Sequence, residues 1–429
     1  MKTCPYLIIG NSVTAVGAVR GIREHDSENA ITVVSREPHH TYSRPLISYL
    51  LAGKVAEGDM FYCPENYCEK NQIEPVLNVE AKKVDSDEHS VALENGENMS
   101  YDQLLIATGG SPIVPAELAG TDAEGVFTFT TWQDAREIDR WIENRSVERA
   151  VAVGAGLIGL KSMEALVERG IQTTVVELAD RVLGSTFDGP ASRLAANQMR
   201  DAGVDVRCGT TVRKIKQENG RISGVELQGG EPVKSELLVF AIGVRPNVGL
   251  VQNAGVKIGD GIIVDGRMRT TAPDIYAAGD VAEAQQRLSD GYGTLPIFPD
   301  AHRQGHVAGV NMAGGEENYA GGLAMNSVDV FGLPTISVGL TNPESDEFEI
   351  LQLADEADKS YRKIVLKDNR VVGAIFIGCI DRAGIVTGLI REEVDVSDFK
   401  EHLLTDDFGL VSLPKDYRKH VVSGLGIEV

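Results

Sequence analysis

The 429-residue chain has no excess of basic residues: 41 Lys and Arg stand against 63 Asp and Glu, for a formal net charge of −22. Nucleic acids and anionic membrane surfaces are held through clusters of Lys and Arg, so neither is expected as a partner. The acidity is read as ordinary surface solvation. No apolar run approaches the ~20 residues of a membrane-spanning helix, which argues against membrane insertion. Cysteine is scarce, with five residues at positions 4, 63, 68, 208 and 379, and none stands in a C-x-x-C pair. A thiolate metal centre is therefore not expected, no metal site of another kind is read, and the thiols suit a reducing compartment. The opening MKTCPYLIIG passes straight into an apolar strand and leaves no room for a signal peptide, so a cytoplasmic protein is expected. There is no low-complexity tract.

What the chain does have is two strand–glycine-turn–helix segments. YLIIGNSVTA carries Gly10, Ser12 and Ala15, and AVAVGAGLIG carries Gly154, Gly156 and Gly159. In each, an apolar strand runs into a tight turn that opens a helix, so backbone N–H groups and the helix dipole face a pyrophosphate. The second is complete, because Glu177 closes the next apolar stretch, TTVVE, about twenty residues on, where a carboxylate meets ribose hydroxyls. In the first, Ser12 stands where a glycine would allow the closest approach. Two dinucleotides are implied. A third segment, IYAAGDVA, carries Asp280.

A chain this long divides into two or three domains. CPYLIIG, a helix over about 14–24 and AITVVS form a βαβ opening. YSRPLISYLLAG reads as a helix starting near Pro45. QIEPVLN and HSVALEN lead to the buried strand YDQLLIATGGSP. After a linker over about 111–130, a new βαβ unit begins at Ala150 and runs to LLVFAIGVRPN. GIIVD, DIYAAGDVA and a helix over about 300–313 then resume the first domain, as when one dinucleotide-binding fold is inserted in another. From Tyr319 onward, short alternating strands and the helical RAGIVTGLIREE read as a separate α+β domain.

These motifs, in this order over the whole chain, resemble the pyridine-nucleotide-dependent FAD reductases typified by NADH:rubredoxin reductase, NADH oxidase and the amino-terminal part of NADH-dependent nitrite reductase. The resemblance implies an α/β, glutathione-reductase-like architecture with two Rossmann-like domains. FAD would bind 1–110 and 241–316, NADH would bind 111–240, and a closing domain over 317–429 would serve dimerisation or docking. It assigns the FAD pyrophosphate to Gly10, Ser12 and Ala15, the adenine to the Ala81 backbone, the second chain crossing to Thr108 and Gly109, and the ribityl chain to Asp280. The family's acid near position 36 is replaced by Arg36, so Glu37 is expected at the ribose. Arg44, Pro45 and Gly243 are carried over as further cofactor contacts, and Gly154, Gly156, Gly159 and Glu177 as the NADH contacts.

Two departures from the family pattern matter. Pro45 occupies the place of the cysteine that some of these enzymes carry on the flavin's face, and Cys63-Pro-Glu-Asn-Tyr-Cys68 falls too late in the chain to be a redox pair. The Lys and Glu that relatives pair across the cofactor are here Tyr49 and Lys161, so Lys161 is expected to supply a cation beside the flavin. The implied reaction is hydride transfer from NADH to the flavin, then electron delivery without a thiol to an acceptor such as a rubredoxin- or ferredoxin-like protein, in a homodimer. An NADH oxidase, or a flavoprotein subunit of a larger redox complex, are the alternatives. His302 and His306 are expected at the surface.

Overall fold

The computed structural model describes residues 2–288, 291–355, 357–409 and 412–413. Its first strand, Lys2–Ile9, carries the buried run Leu7, Ile8 and Ile9 and lies inside a parallel sheet, with Ile31–Ser35 and Ile73–Leu77 on one side and Asn98–Ile106 on the other. Continuous apolar runs of this kind are what a strand covered on both faces requires. Beyond Asn98–Ile106, the strand Ile275–Ala277 joins in parallel at residues 104–106, and the antiparallel pair Ser90–Leu93 and Ala81–Asp85 continues from the other half of the same edge. One sheet is thus completed by two distant parts of the chain.

The insertion between them is a second parallel sheet in the order Asp205–Cys208, Gln172–Glu177, Arg149–Val153, Leu237–Phe240, Val126–Thr128. The expected linker is therefore partly structured: Val126–Thr128 is an edge strand, and the helix Trp132–Glu143 precedes Ala150. Three residues are too few to show a period, but the helix announces itself by the capping box that Thr131 and Asp134 form. The two chain crossings between the sheets pair with each other, Gly110–Pro112 against Val244–Pro246. YSRPLISYLLAG is shorter than expected as a helix, a single 3-10 turn Arg44–Leu46 followed by Ile47–Leu51.

The closing sheet is antiparallel, in the order Met325–Val330, Leu333–Gly339, Arg370–Ile377, Ser360–Lys367, Glu349–Asp355. One face takes the helix Ala383–Arg391. From the other, Leu333, Tyr361, Ile375 and Ile377 enter one apolar cluster with Leu160, Met163 and Met199 of the inserted fold. Residues 410–411 and 414–429 of the expected closing domain lie outside the described residues.

Helices Val13–His25 and Phe298–Met312 meet backbone to backbone. A Cβ on Gly17 would stand 2.1 Å from the His302 carbonyl oxygen, on Gly21 2.3 Å from that of His306, on Gly305 2.1 Å from that of Thr14, and on Gly309 2.1 Å from that of Ala18. Adding one methyl there forces two backbones apart, so Gly305→Ala should lower stability by about 2–3 kcal/mol. Gly384, in the helix Ala383–Arg391, has nothing within 4 Å of its added Cβ, and Gly384→Ala should stabilise by up to about 1 kcal/mol. Urea midpoints at unchanged m-value check both signs; equal effects would refute the close-packed seam.

Candidate active site

Each glycine turn is built to bring backbone to the end of a helix. Gly10 (φ 121°) and Gly154 (φ 102°) are in a conformation only glycine adopts readily, and a Cβ on either would lie 2.0 and 2.5 Å from the carbonyl oxygens of Ala107 and Ala241. The third position of each motif does not face the ligand space. Ala15 is 2% exposed in the core, and a Cβ on Gly159 would meet the Gly154 carbonyl at 2.0 Å. These two residues set how closely helix packs on strand. Gly156, in contrast, has open space where a Cβ would stand, as close approach of a pyrophosphate demands.

The helix ends differ in a telling way. Thr131 caps Trp132–Glu143 and Asp188 caps Gly189–Asp201 through their side chains. Val13–His25 and Leu157–Glu168 have no side-chain cap and no acid in their first turns. Their leading N–H groups are therefore left for an anion, and the positive dipole ends reinforce it. Phe298–Met312 is also uncapped, although Asp300 sits in its first turn.

These three ends open on one cavity of about 1780 Å³. A single ligand site usually measures ~300–1,000 Å³, so this one has room for two dinucleotides. Gly10, Ser12, Glu37, Arg44, Pro45, Ala81, Thr108, Gly109, Gly154, Gly156, Lys161, Glu177, Gly243 and Asp280 all line it. Among the described residues no cysteine does. Cys63 and Cys68 stand elsewhere, with the Cys68 sulfur 3.9 Å from His40 Nδ1.

On the side of the first turn, Glu37 accepts hydrogen bonds from the Tyr42 hydroxyl at 2.6 Å and Arg44 Nη2 at 2.5 Å. Arg44 also donates to the Thr130 carbonyl at 2.9 Å. Burial pushes the Asp280 carboxyl up from its ordinary value, and the Arg44 charge acts against that rise. A turn and the strand Ala282–Gln285 follow Asp280, so it caps no helix. Gly279 instead fixes it, donating its N–H to Gln304 Oε1 at 2.9 Å and leaving no room for a Cβ against Thr14.

On the side of the second turn, the Glu177 oxygens accept the N–H groups of Ala155 at 2.7 Å and Ala179 at 2.8 Å, so the carboxylate is locked over the turn. Lys161 lines the cavity, yet its ammonium donates to Glu164 Oε2 at 2.5 Å and to the Asp329 carbonyl at 2.8 Å. The cation expected beside the flavin is tied back toward the closing sheet. Tyr49 lines the cavity too, and the segment that carries it reaches the same helix through Lys54 and Glu168, 2.5 Å apart. The histidines are less superficial than expected: His302 is half-buried, and His306 bridges Glu24 and Glu317 at 3.0 Å each.

Residues 5–305 match the pyridine nucleotide-disulphide oxidoreductase family model. The chain belongs to that family. Residues 325–394 match the rubredoxin NAD+ reductase C-terminal domain. The chain is 32% identical over 405 residues, 94% of each protein, to the NADH-dependent phenylglyoxylate dehydrogenase subunit epsilon of Aromatoleum evansii. It is 30% identical to the nitrite reductase [NAD(P)H] of Bacillus subtilis over 91% of this chain and 48% of that one. A NAD-dependent persulfide reductase from A. fulgidus superposes with a TM-score of 0.84 at 28% identity, covering 92% of this chain and 78% of that one. The protein is accordingly an NAD(P)H-dependent flavoprotein oxidoreductase with FAD and a pyridine nucleotide as cofactors, and the two uncapped turns and the size of the cavity fit that pair.

Sequence reasoning missed one buried network in this oxidoreductase. Asp300 Oδ2 accepts from the Tyr319 hydroxyl at 2.7 Å and Gln304 Nε2 at 2.9 Å, and burial raises its pKa. Asp300 and Gln304 lie on the expected helix and Tyr319 beyond it, with no motif to join them. Only the acid in the helix's first turn gave a signal. Burial also pushes the Cys63 thiol up to about 11, so only about one thiol in a thousand is ionised at pH 8. Its alkylation should be slow at pH 8 and quicken roughly tenfold per pH unit up to that value. Mass-spectrometric labelling rates for Cys63 that stay flat with pH would contradict this.

Proposed function

We propose that this oxidoreductase takes hydride from NADH onto FAD and passes the electrons to a small iron-containing carrier protein, without a redox cysteine. The carrying observation is the cavity wall, which joins both glycine turns and has Pro45 but no cysteine among its described residues. Bound FAD supplies the change from a two-electron donor to an electron carrier. The chain's part is placement. In this reading Gly10 and Ser12 present the first helix end to the FAD pyrophosphate, Glu37 takes the ribose, Ala81 lies at the adenine, and Asp280 holds the ribityl chain. Arg44 stands between the two carboxylates. Thr108, Gly109 and Gly243, at the paired crossings, keep the FAD fold (1–110, 241–316) in register with the NADH fold (111–240). Gly154 and Gly156 hold the second pyrophosphate, and Glu177 the adenosine ribose.

A second reading is supported by the similarity, at full length, to a protein named as a dehydrogenase subunit. In it the same chain works inside a larger complex, with the closing domain (317–429) as the docking or dimer surface. Turnover of the purified protein with NADH against rubredoxin, ferredoxin, viologen, quinone and oxygen separates the readings. Reduction of a carrier protein is expected; fast flavin reduction with no acceptor turned over would favour the subunit.

Glu177 repels a 2′-phosphate, so kcat/KM should favour NADH over NADPH by roughly tenfold or more. Glu177→Ser should narrow that ratio. An unchanged ratio in the variant would remove Glu177 from the ribose. Replacing both Cys63 and Cys68 by Ser should leave the stopped-flow rate of flavin reduction by NADH within about twofold, as expected of residues outside the site, and loss of most of that rate would bring a redox pair back.

A further inference from the structure

We propose that Lys161 and Glu164 form a latch that holds the closing sheet's first hairpin against the NADH-binding fold, and so positions the cavity wall Met325–Val328 for NADH. The inference rests on the NADH reading of the second glycine turn. The hairpin joins Met325–Val330 to Leu333–Gly339, and its tip enters between two helices of the inserted fold. Phe331 at the tip has φ 48°, a conformation a bulky residue keeps only where its surroundings impose it. Here both of its backbone groups are held by side chains. Its N–H donates to Glu164 Oε1 at 2.8 Å, and its carbonyl accepts from Gln198 Nε2 at 2.7 Å.

Glu164 thus spends one oxygen on the hairpin and the other on Lys161, whose remaining bond goes to the Asp329 carbonyl. The side chains of the pair are 25% and 14% exposed, so water screens them only in part. Asp329 follows directly on Val328, which lines the cavity, as do Gly156, Leu157 and Lys161 of the turn and its helix. The latch therefore lies where the wall meets the nucleotide's turn. Farther out the sheet has separate anchors: Lys363 to Asp188 at 3.0 Å, and Lys359 to Asp201 at 2.8 Å. Those hold the sheet as a whole. The inner pair binds beside the wall, at Asp329, the residue after Val328.

Lys161→Met and Glu164→Gln should each raise the KM for NADH about tenfold, the value of a lost charge-assisted hydrogen bond, with kcat kept within about twofold. Ferricyanide serves as acceptor, so that no carrier protein enters the measurement. Lys161→Arg should restore most of the affinity. Lys359→Met, at an outer anchor, should leave KM unchanged. Hydrogen exchange at the Phe331 and Gly332 amides should quicken in Glu164→Gln. Faster exchange with an unchanged KM would overturn the positioning role and leave a structural bond only. A lowered flavin midpoint potential and lost kcat at unchanged KM in Lys161→Met would overturn it in favour of a cation acting on the flavin. A wild-type protein that reduces ferricyanide with NADH but no carrier sinks the carrier reading and leaves the latch standing.

Discussion

Four glycines, two on each of two helices, let Val13–His25 and Phe298–Met312 touch through their backbones. The rest of the site depends on that contact. Both helices begin at the cavity, and they come from distant parts of the chain, with the whole inserted second sheet between them in sequence. Any side chain at the seam would move one helix end relative to the other. The consequence reaches the carboxylate at the cavity, because Gly279 is wedged between Thr14 of one helix and Gln304 of the other, and Asp280 is the next residue. Close packing here is a means of aligning groups as well as a source of stability.

Electrostatics then decides what the aligned groups can hold. The chain is strongly acidic, which would disfavour phosphates at most of its surface. The cavity escapes this through backbone. Two helices start there without caps or first-turn acids, and three of the acids that line it are committed: Glu37 to Arg44 and Tyr42, Glu177 to two amides, Asp300 to Tyr319 and Gln304. A carboxylate held this way offers its remaining lone pairs to hydroxyls and turns phosphates away, so in the proposed reading riboses and pyrophosphates would be sorted to different points of one continuous space.

Much of this could be read from the chain itself. Gly10 and Gly154, the apolar runs before them and Glu177 place two nucleotide turns with their strands and helices. The inserted order of the folds follows from the same signals, because strand and helix periods are local. What could not be read depends on contacts between distant segments. The edge strand Val126–Thr128 is too short to show a period and exists because Leu237–Phe240 lies beside it. The Asp300 network needs Tyr319, which nothing in sequence joins to it. Lys161 was visible as a cation near the site, but its partner Asp329 belongs to another domain, and only the folded chain shows which way the ammonium turns.

That last point changes what the exchange of residues at positions 49 and 161 means. If a cation beside the flavin were the constraint, Tyr49 and Lys161 would be one pair reversed, and Lys161 would face the cofactor. The observed contacts sort the charges differently. Lys54 and Glu168 connect the segment that carries Tyr49 to the helix at its far end, while Lys161 and Glu164 connect the same helix to the closing sheet. One helix is thus tied on two sides, by an ion pair at Glu168 and by hydrogen bonds from Lys161 and Glu164 to the hairpin backbone, and neither tie uses the side chain of Tyr49. The ammonium's bond to a carbonyl of the hairpin would have to break before it could serve the flavin. Breaking it would also free the strained tip at Phe331, so the two uses of Lys161 compete, and the geometry favours the structural partner.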